Sequence, residues 1–428
     1  MIRVLRGHIV DAPRLGELQV TECGWLVLED GVIRGVFDRL PAAYDNAPVT
    51  DYGDRLILPS FADMHLHAPQ YPMLGMGMDL PLLDWLGTYA FPTEARFGDP
   101  DYARRTYRRL ASDLITNGTT RVCMFSSLHT EATWILMEEL ERAGVTGYVG
   151  KVNMDRNGVP GLLQETAEQS AAETLRWLEG CRSDRVKPIL TPRFTPSCSD
   201  ELMARLGAIA AERGLYVQSH LSESLQEIEW VRNLHPDCER YWETYAKFGL
   251  WKDHTLMAHC VWSDTNERAA MRAAGVVAVH CADSNVNICS GVCPVRRLLD
   301  EGIWVTLGSD IAGGAQLPMY KVITAAIRAS KIRRVIDDWT TDFLTVEEAF
   351  YLGTTAGHRY FGAGEGFAPG NRLHAIVVDD GDFPEAVGPL TVRERFQRAV
   401  YMLHRRNIVA VWSDGRCVVE KPLVPAEN

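Results

Sequence analysis

The spacing of apolar residues divides this 428-residue chain into three parts. At the amino-terminal end, short apolar runs alternate with turn residues, which predicts strands at Ile2–Leu5, Trp25–Leu28 and Val32–Val36. At the carboxyl-terminal end, beyond the helical pattern of Leu344–Phe361, similar runs predict strands at Ala375–Val378, Ile408–Trp412 and Cys417–Val419. We expect these two ends, residues 1–57 and 365–428, to meet in one small β-sandwich domain.

Between the two ends, eight short apolar runs alternate with amphipathic stretches, which is the pattern of parallel strands that are each followed by a helix. The predicted strands are Leu56–Leu58, Thr119–Phe125, Tyr148–Asn153, Lys187–Thr191, Tyr216–Ser219, Thr255–Ala258, Val276–Val279 and Trp304–Leu307. The predicted helices are Tyr102–Thr116, Glu131–Ala143, Thr166–Glu179, Asp200–Arg213, Leu225–Asn233, Thr265–Ala274 and Tyr320–Ile332. Eight such units favour an α/β fold of the (β/α)8 TIM-barrel type over residues 58–364.

Composition narrows the classes of partner. The chain is 46 % hydrophobic and 23 % charged, as in ordinary globular proteins, and its net charge of −12 argues against nucleic-acid binding and favours a small-molecule partner. The amino terminus lacks the apolar segment of a secretory signal, and no apolar run approaches the roughly 18 residues of a membrane span. The ten scattered cysteines fit reduced thiols, so we expect a cytoplasmic protein with no membrane partner.

The pair His65 and His67 is the first indication of chemistry. Alternate residues of an extended segment share a face, so an H-x-H pair beyond the predicted strand Leu56–Leu58 directs both imidazoles to one side. Such a pair can hold a metal ion. On its own it is equally compatible with two surface or capping histidines.

Four further groups follow later predicted strands, namely His220, His259, His280 and Asp310. A buried structural histidine is the ordinary interpretation of any one of them. Barrel active sites, however, are built at the carboxyl ends of the strands, and all of these groups share that position. Imidazole and carboxylate ligands suit one zinc ion per subunit, with iron as an alternative, and such an ion lowers the pKa of bound water toward about 7.

Several longer motifs between residues 55 and 330 point to one family. They are His65–Tyr71, Asp79–Leu86, Phe91–Phe97, Asn117–Thr120, Thr191–Phe194, Gln218–Glu223, Met257–His259 and Gly308–Gly314. With them the chain resembles the amidohydrolase superfamily and, within it, the guanine deaminase family. The H-x-H, S-H-x-x-E and S-D elements are common to many deaminases of the superfamily. The APQY, DLPLLDWL, FPTEARF and PRF segments are the ones that favour the guanine deaminases.

The resemblance implies a set of metal ligands and a set of catalytic groups. The implied metal ligands are His65, His67, His220 and Asp310. Glu223 would pass a proton to a ring nitrogen of the purine, and Asp310 would carry a proton from the attacking water to the departing amine. His259 would hydrogen-bond the attacking oxygen and the oxyanion that follows.

The resemblance also implies the substrate and its contacts. Gln70 and Arg193 would contact the polar edge of the purine, and Phe194 would stack on or flank the ring. The remaining implied substrate contacts are His220, Glu223, His280 and Asp310. The expected reaction converts guanine and water to xanthine and ammonia, in a homodimer.

One departure keeps other substrates open. Related deaminases commonly have H-C-P-x-S-N where this chain has His280-Cys281-Ala282-Asp283-Ser284-Asn285, so that Asp283 adds a negative charge near the expected pocket. A deaminase of a pterin, of 8-oxoguanine or of an s-triazine is therefore the alternative. The Arg372–Ala375 stretch also departs from the family pattern, since relatives usually carry an Ala-Asp pair there. We expect this change to affect packing rather than the chemistry.

Two further interpretations come from other classes of protein. A non-catalytic barrel that binds ligands predicts the loss of ligands or of the glutamate, yet every expected group is present. Amide or lactam hydrolysis usually requires a second metal bridged by a carboxylated lysine, and Lys151 lacks a bridging context, which favours a single-metal site. We predict that Cys289 and Cys293 are thiols that bind no zinc. The other histidines are predicted to have structural roles, namely His8, His129, His235, His254, His358, His374 and His404.

Overall fold

The computed structural model describes residues 1–159, 163–337 and 339–421. Its strands, numbered along the chain, are β1 Ile2–Asp11, β2 Gln19–Glu29, β3 Val32–Phe37, β4 Val49–Pro59, β5 Phe61–His67, β6 Thr119–Phe125, β7 Thr146–Gly150, β8 Val152–Asn153, β9 Val186–Pro188, β10 Thr191–Pro192, β11 Gln218–Leu221, β12 Leu256–His259, β13 Val277–His280, β14 Trp304–Leu307, β15 Ala375–Val378, β16 Ile408–Ser413 and β17 Arg416–Glu420.

The α-helices lie mostly between the strands of the middle part. They are α1 Leu82–Trp85, α2 Phe91–Ala95, α3 Pro100–Thr116, α4 Thr130–Ala143, α5 Ala167–Gly180, α6 Asp200–Arg213, α7 Leu225–Leu234, α8 Glu243–Ala246, α9 Thr265–Ala274, α10 Ala282–Asn287, α11 Val295–Asp300, α12 Met319–Ile336, α13 Val346–Gly353, α14 Thr355–Tyr360 and α15 Val392–Met402. Within the described ranges, no helix combines the length and the apolar character that crossing a membrane requires.

Strands from both ends of the chain form one seven-stranded sheet, in the order β17-β16-β15-β4-β1-β2-β3. The six strands predicted at the two ends all belong to it. The run Leu56–Leu58 also belongs to it, because it lies in β4, where Leu58 pairs with Ile376 of the antiparallel strand β15. Its prediction as the first strand of the barrel is therefore wrong. A short, wholly apolar run fits any strand with two buried faces, so its pattern does not tell which sheet it joins.

The first strand of the middle part is β5, which is separated from β4 by the single residue Ser60 and is buried over its whole length. Its apolar character is concealed because Asp63, His65 and His67 alternate with its nonpolar residues. The strand also contains an irregularity against β6, since Asp63 pairs with Val122 while Leu66 pairs with Met124. Such bulges redirect side chains beside active sites.

The remaining strands of the middle part are parallel and follow the predicted order. β5, β6, β7 and β9 form one group, β8 pairs with β10, and β11 to β14 form another. A parallel bridge from Leu190 to Val217 connects the groups. Beyond β14, the Asp310 N–H donates to the carbonyl of His65 at 2.8 Å, and the His67 N–H donates to the carbonyl of Ile311 at 3.2 Å. The chain after β14 is therefore hydrogen-bonded to β5.

The predicted helices all have counterparts within a few residues, because their amphipathic spacing and end signals are strong. Helix α5 begins with a capping box in which Thr166 and Gln169 exchange hydrogen bonds, and α6 ends at Gly214 in the left-handed conformation. The single stretch predicted over Leu344–Phe361 is divided into α13 and α14 at Thr354. Helix α15 was not predicted.

Candidate functional site

The site lies at the carboxyl ends of the parallel strands. His65 and His67 belong to β5, His220 to β11 and His259 to the end of β12, while Asp310 follows β14. The ligand atoms of His65, His67 and His220 all lie within 4.8 Å of one another, and all three rings are buried. The structure thus brings together three groups that are far apart in the sequence.

The hydrogen-bonding pattern of His220 and His67 shows what this cluster can hold. The Nδ1 of His220 lies 2.5 Å from the carbonyl oxygen of Arg193, to which it donates. Its Nε2 then carries a lone pair, and it lies 3.1 Å from Nε2 of His67. Burial, reinforced by neighbouring histidines, lowers the pKa of both rings well below the usual range, so both are neutral at pH 7.

Asp310 adds a carboxylate to the cluster. Its Oδ1 lies 3.2 Å from Nε2 of His65 and 3.6 Å from Nε2 of His67. Burial acts to raise the pKa of Asp310, but its contacts with the imidazoles of His65, His259 and His67 outweigh burial and lower the pKa. A set of imidazole lone pairs that face one another and a carboxylate fits a divalent metal ion.

A second combination of ligand atoms, His65, His259 and Cys281, is also compact enough to hold an ion. Burial raises the pKa of the Cys281 thiol well above its usual range. The thiolate is the metal-binding form, so this combination is the weaker candidate.

The segment that carries Asp310 is fixed to β5 by further contacts. The hydroxyl and the N–H of Ser309 donate to Asp63 at 2.5 and 2.9 Å, and burial raises the pKa of Asp63 to about 7. A Cβ on Gly308 would lie 2.8 Å from the Cβ of His65, so only glycine allows this approach. The hydroxyl of Ser284 donates to Oδ2 of Asp310 at 2.6 Å, which orients the carboxylate.

Glu223 and His259 face each other beside Asp310. The Nε2 of His259 lies 3.5 Å from Oε2 of Glu223 and 3.8 Å from Oδ2 of Asp310, while its Nδ1 lies 2.8 Å from Oδ1 of Asn285. The other oxygen of Glu223 accepts a hydrogen bond from Ser290 at 2.8 Å. Burial raises the pKa of Glu223 to about 7, so its carboxyl can both give and take a proton near neutral pH.

Glu227, which the sequence analysis missed, holds the backbone of Glu223. Its Oε2 accepts hydrogen bonds from the N–H groups of Glu223 and Ser224 at 2.8 and 3.3 Å, and its Oε1 accepts one from the Tyr241 hydroxyl at 2.7 Å. Ser224 and Glu227 form the capping box of α7. The S-x-x-E spacing was the available signal, although it indicates only the start of a helix.

The cluster opens into a pocket with about 400 Å³ of space, measured together with its mouth. Gln70, Arg193 and Phe194 line it, as predicted, and Leu82, Trp85, Leu86 and Ile288 supply an apolar wall. The other lining residues are His67, His220, Glu223, His259 and Asp310. One cavity therefore joins the cluster to polar and apolar side chains that can bind a flat, polar ring.

Behind this lining lies a second residue that was missed. Glu94 of α2 is buried, and its carboxylate accepts hydrogen bonds from Arg193 at 2.5 and 2.9 Å and from Gln70 at 2.8 Å. In the sequence, the FPTEARF segment served only as a family motif, and no role was predicted for Glu94. A partner for a buried arginine cannot be identified from spacing when the two residues are almost a hundred positions apart.

Three other residues that the sequence analysis considered for the site, His280, Asp283 and Lys151, lie outside the lining of the pocket. His280 is buried, but it does not line the pocket, and its ring nitrogens have no hydrogen-bond partner among the described residues. Asp283 accepts a hydrogen bond from the N–H of Ala315 and does not line the pocket either. Lys151 forms an ion pair with Glu165 at 2.9 Å and is not one of the residues whose ligand atoms cluster around His65.

Comparison with known proteins bears out the resemblance found in the motifs. The model of the Amidohydrolase family matches residues 56–418. A guanine deaminase of Dictyostelium discoideum is 34 % identical over 97 % of this chain and 98 % of its own length, and one of Homo sapiens is 36 % identical over 85 % and 82 %. A crystal structure of guanine deaminase from C. acetobutylicum, with guanine bound in its active site, superposes with a TM-score of 0.94 at 41 % identity, covering 97 % of this chain and all of that one.

Proposed function

The chain belongs to the amidohydrolase family, and on that premise we propose that it is a metal-dependent deaminase that converts guanine and water to xanthine and ammonia. The observation that carries the proposal is one pocket. It joins the cluster of His67, His220 and Asp310 to the residues Gln70 and Arg193, and guanine deaminases match 97–98 % of the chain at 29–41 % identity.

We propose that His65, His67, His220 and Asp310 hold one zinc ion per subunit. The support is the donor set, in which buried neutral imidazoles and one carboxylate converge and the Nδ1 hydrogen bond of His220 fixes its tautomer. When bound, such an ion acts as a Lewis acid and lowers the pKa of water at the site. Iron fits the same donors, so the metal itself is measured in the experiment below.

The protein's own groups then divide the proton transfers. Glu223, with a pKa of about 7, would protonate a ring nitrogen beside the amino-bearing carbon, which would make that carbon more susceptible to attack by water. Asp310 would accept a proton from the water and deliver it to the departing amine. His259, oriented through Asn285, would donate a hydrogen bond to the oxyanion.

The pocket would bind the purine by its edge and its face. The guanidinium of Arg193 is a donor suited to the carbonyl oxygen of guanine, and Gln70 can both donate and accept. Phe194 lines the pocket with its ring centroid 6.3 Å from that of His220, so it can flank the purine. His280, which is buried, would complete the surroundings of substrate and metal.

For the architecture, we propose that the parallel strands close into a (β/α)8 barrel over residues 58–364. The hydrogen bonds from Asp310 and His67 that link the end of the series to β5 support closure. The sheet built from both ends would fold into a β-sandwich domain, residues 1–57 and 365–428. The family resemblance also supports a homodimer, which the mass measured by light scattering would test.

The test is a comparison of initial rates on guanine and on amino-bearing pterin, 8-oxoguanine and s-triazine substrates, with metal quantified in the same preparation. We expect guanine to have the highest kcat/KM, with one equivalent of zinc per chain. Faster turnover of another ring would contradict the proposed substrate. A preparation that lacks zinc and iron and stays inert after metal is added would contradict the activity itself and favour a binding module.

A further inference from the structure

Glu94 forms the most completely buried ion pair in contact with the pocket. Its side chain is 1 % exposed and that of Arg193 is 3 % exposed, and two parallel hydrogen bonds join them at 2.5 and 2.9 Å. A bidentate pair of this kind is rigid and electrically neutral as a unit. The pair stands behind the lining, and Arg193 itself faces the cavity.

The same carboxylate fixes the orientation of Gln70. The Nε2 of Gln70 donates to Glu94 at 2.8 Å, and its Oε1 accepts from the N–H of Ala312 at 3.2 Å. Both ends of the amide are thereby assigned, so the side chain cannot flip by half a turn without losing two hydrogen bonds. The Arg193 guanidinium also lies over the ring of Phe91, 5.1 Å from its centroid. One buried acid thus holds both polar side chains that face the ring.

We propose that Glu94 is the residue that sets the charge selectivity of this pocket, by cancelling the charge of Arg193 so that neutral oxopurines are bound in preference to anionic ones. The proposal rests on the proposed function for the identity of the ligands. Glu94 contacts no substrate in this scheme and acts through Arg193 and Gln70, so it is a positioning residue.

The chemistry of the reaction gives this selectivity a purpose. Guanine is neutral near pH 7, whereas replacement of its amino group by a carbonyl gives a more acidic ring, and the further oxidised purine urate is an anion at that pH. An unpaired, buried arginine would bind such anions tightly, because a desolvated charge attracts a counter-ion strongly. Paired with Glu94, Arg193 keeps its directional donors without a net charge. The product is then released more readily than it would be from an unpaired arginine.

The experiment uses the full-length, zinc-loaded protein and its E94Q variant at pH 7.5. The dissociation constant of urate is measured by calorimetry, and kcat and KM for guanine are measured separately. We expect E94Q to bind urate about tenfold more tightly, while KM for guanine rises several-fold and inhibition by xanthine increases. A loss of packing alone would weaken the binding of urate and of guanine together. Tighter binding of urate is therefore a result that a purely structural role would not give.

The matched control is E165Q, which removes the negative charge of the Lys151–Glu165 ion pair, neither member of which lines the pocket. We expect E165Q to leave the ratio of urate to guanine binding within twofold of the wild type. Unchanged or weaker urate binding by folded E94Q would overturn the proposal.

Two further variants keep the proposal testable if E94Q does not fold. R193Q leaves the Glu94 carboxylate without its cation and should weaken urate binding at least tenfold more than guanine binding. E94D keeps the negative charge and should leave the ratio of urate to guanine binding within threefold of the wild type. Equal effects of R193Q on both ligands would refute the inference. Because urate binding is measured without turnover, a wild-type protein that fails to deaminate guanine overturns the proposed function separately.

Discussion

Replacement of Glu227 by glutamine tests whether Glu223 acts from a position that its neighbours impose. The Glu227 carboxylate accepts three hydrogen bonds, two from the N–H groups of Glu223 and Ser224 and one from the hydroxyl of Tyr241. Glutamine is the same size, but it is neutral and has one acceptor oxygen in place of two. Every one of these interactions is therefore weakened or lost.

The size of the effect follows from the number of bonds. A hydrogen bond to a charged group contributes about 1.5–3 kcal/mol and a neutral one about 1 kcal/mol, so converting three of them costs about 1.5–6 kcal/mol of unfolding free energy. A displacement of about 1 Å at a catalytic group costs about 100-fold in rate, which is the loss of kcat/KM for guanine that we expect from E227Q. Y241F removes only the third bond and should cost less than tenfold.

The assay combines thermal unfolding of the zinc-loaded variants with steady-state deamination of guanine. A double-mutant cycle with E223Q separates the two roles of Glu227, because a residue that acts through Glu223 has no further effect on kcat once Glu223 is replaced. If E227Q lowers the unfolding temperature yet leaves kcat/KM within threefold, Glu227 only caps α7. Additive losses in E223Q/E227Q would refute the same reasoning.

Three other predictions follow from the site and its surroundings. Replacement of the proton-transferring acid, E223Q, should lower kcat for guanine by about 10²–10⁴-fold with zinc content unchanged, and a smaller loss would exclude general acid catalysis by this group. Chelation should abolish deamination and lower the unfolding temperature, and added zinc should restore both; activity that survives complete metal removal would contradict the metal site. Burial raises the pKa of Asp11 from 3.8 to about 6, so wild-type stability relative to D11N should fall by about 3 kcal/mol as pH rises from about 4 to about 6, and then level off. A difference in unfolding temperature between the wild type and D11N that is the same at pH 4.5 and at pH 7.5 would refute this prediction.

The sequence was sufficient to predict the elements whose pattern is local. Strands such as Thr119–Phe125 and helices such as Asp200–Arg213 have their predicted bounds, because apolar periodicity and end signals lie within each segment. His65, His67, His220 and Asp310 could be predicted to converge since each lies near or just beyond the carboxyl end of a parallel strand. That reasoning needs only the order of the strands and not their exact ends.

The parts that could not be predicted depend on contacts between distant segments. The ion pair of Glu94 with Arg193 and the hydrogen bond from the Tyr241 hydroxyl to Glu227 are formed by tertiary packing, and no spacing rule relates their members. The assignment of Leu56–Leu58 failed for the same reason, because its partner Ile376 lies more than three hundred residues away. The bulge in β5, which directs its histidines, left no pattern of its own either.

The single residue between β4 and β5 has a consequence for how the protein is made. β4 pairs with β1 on one side and with β15 on the other, so the sheet that anchors the histidine strand needs segments from both ends of the chain. During synthesis, β15 to β17 are the last of these to leave the ribosome, at about 5–20 residues per second. Until then β4 has only its amino-terminal partner. The amino-terminal end of the histidine strand therefore gains the support of the complete sheet only late in translation, and a chain that stops before β15 would carry every metal ligand without that support.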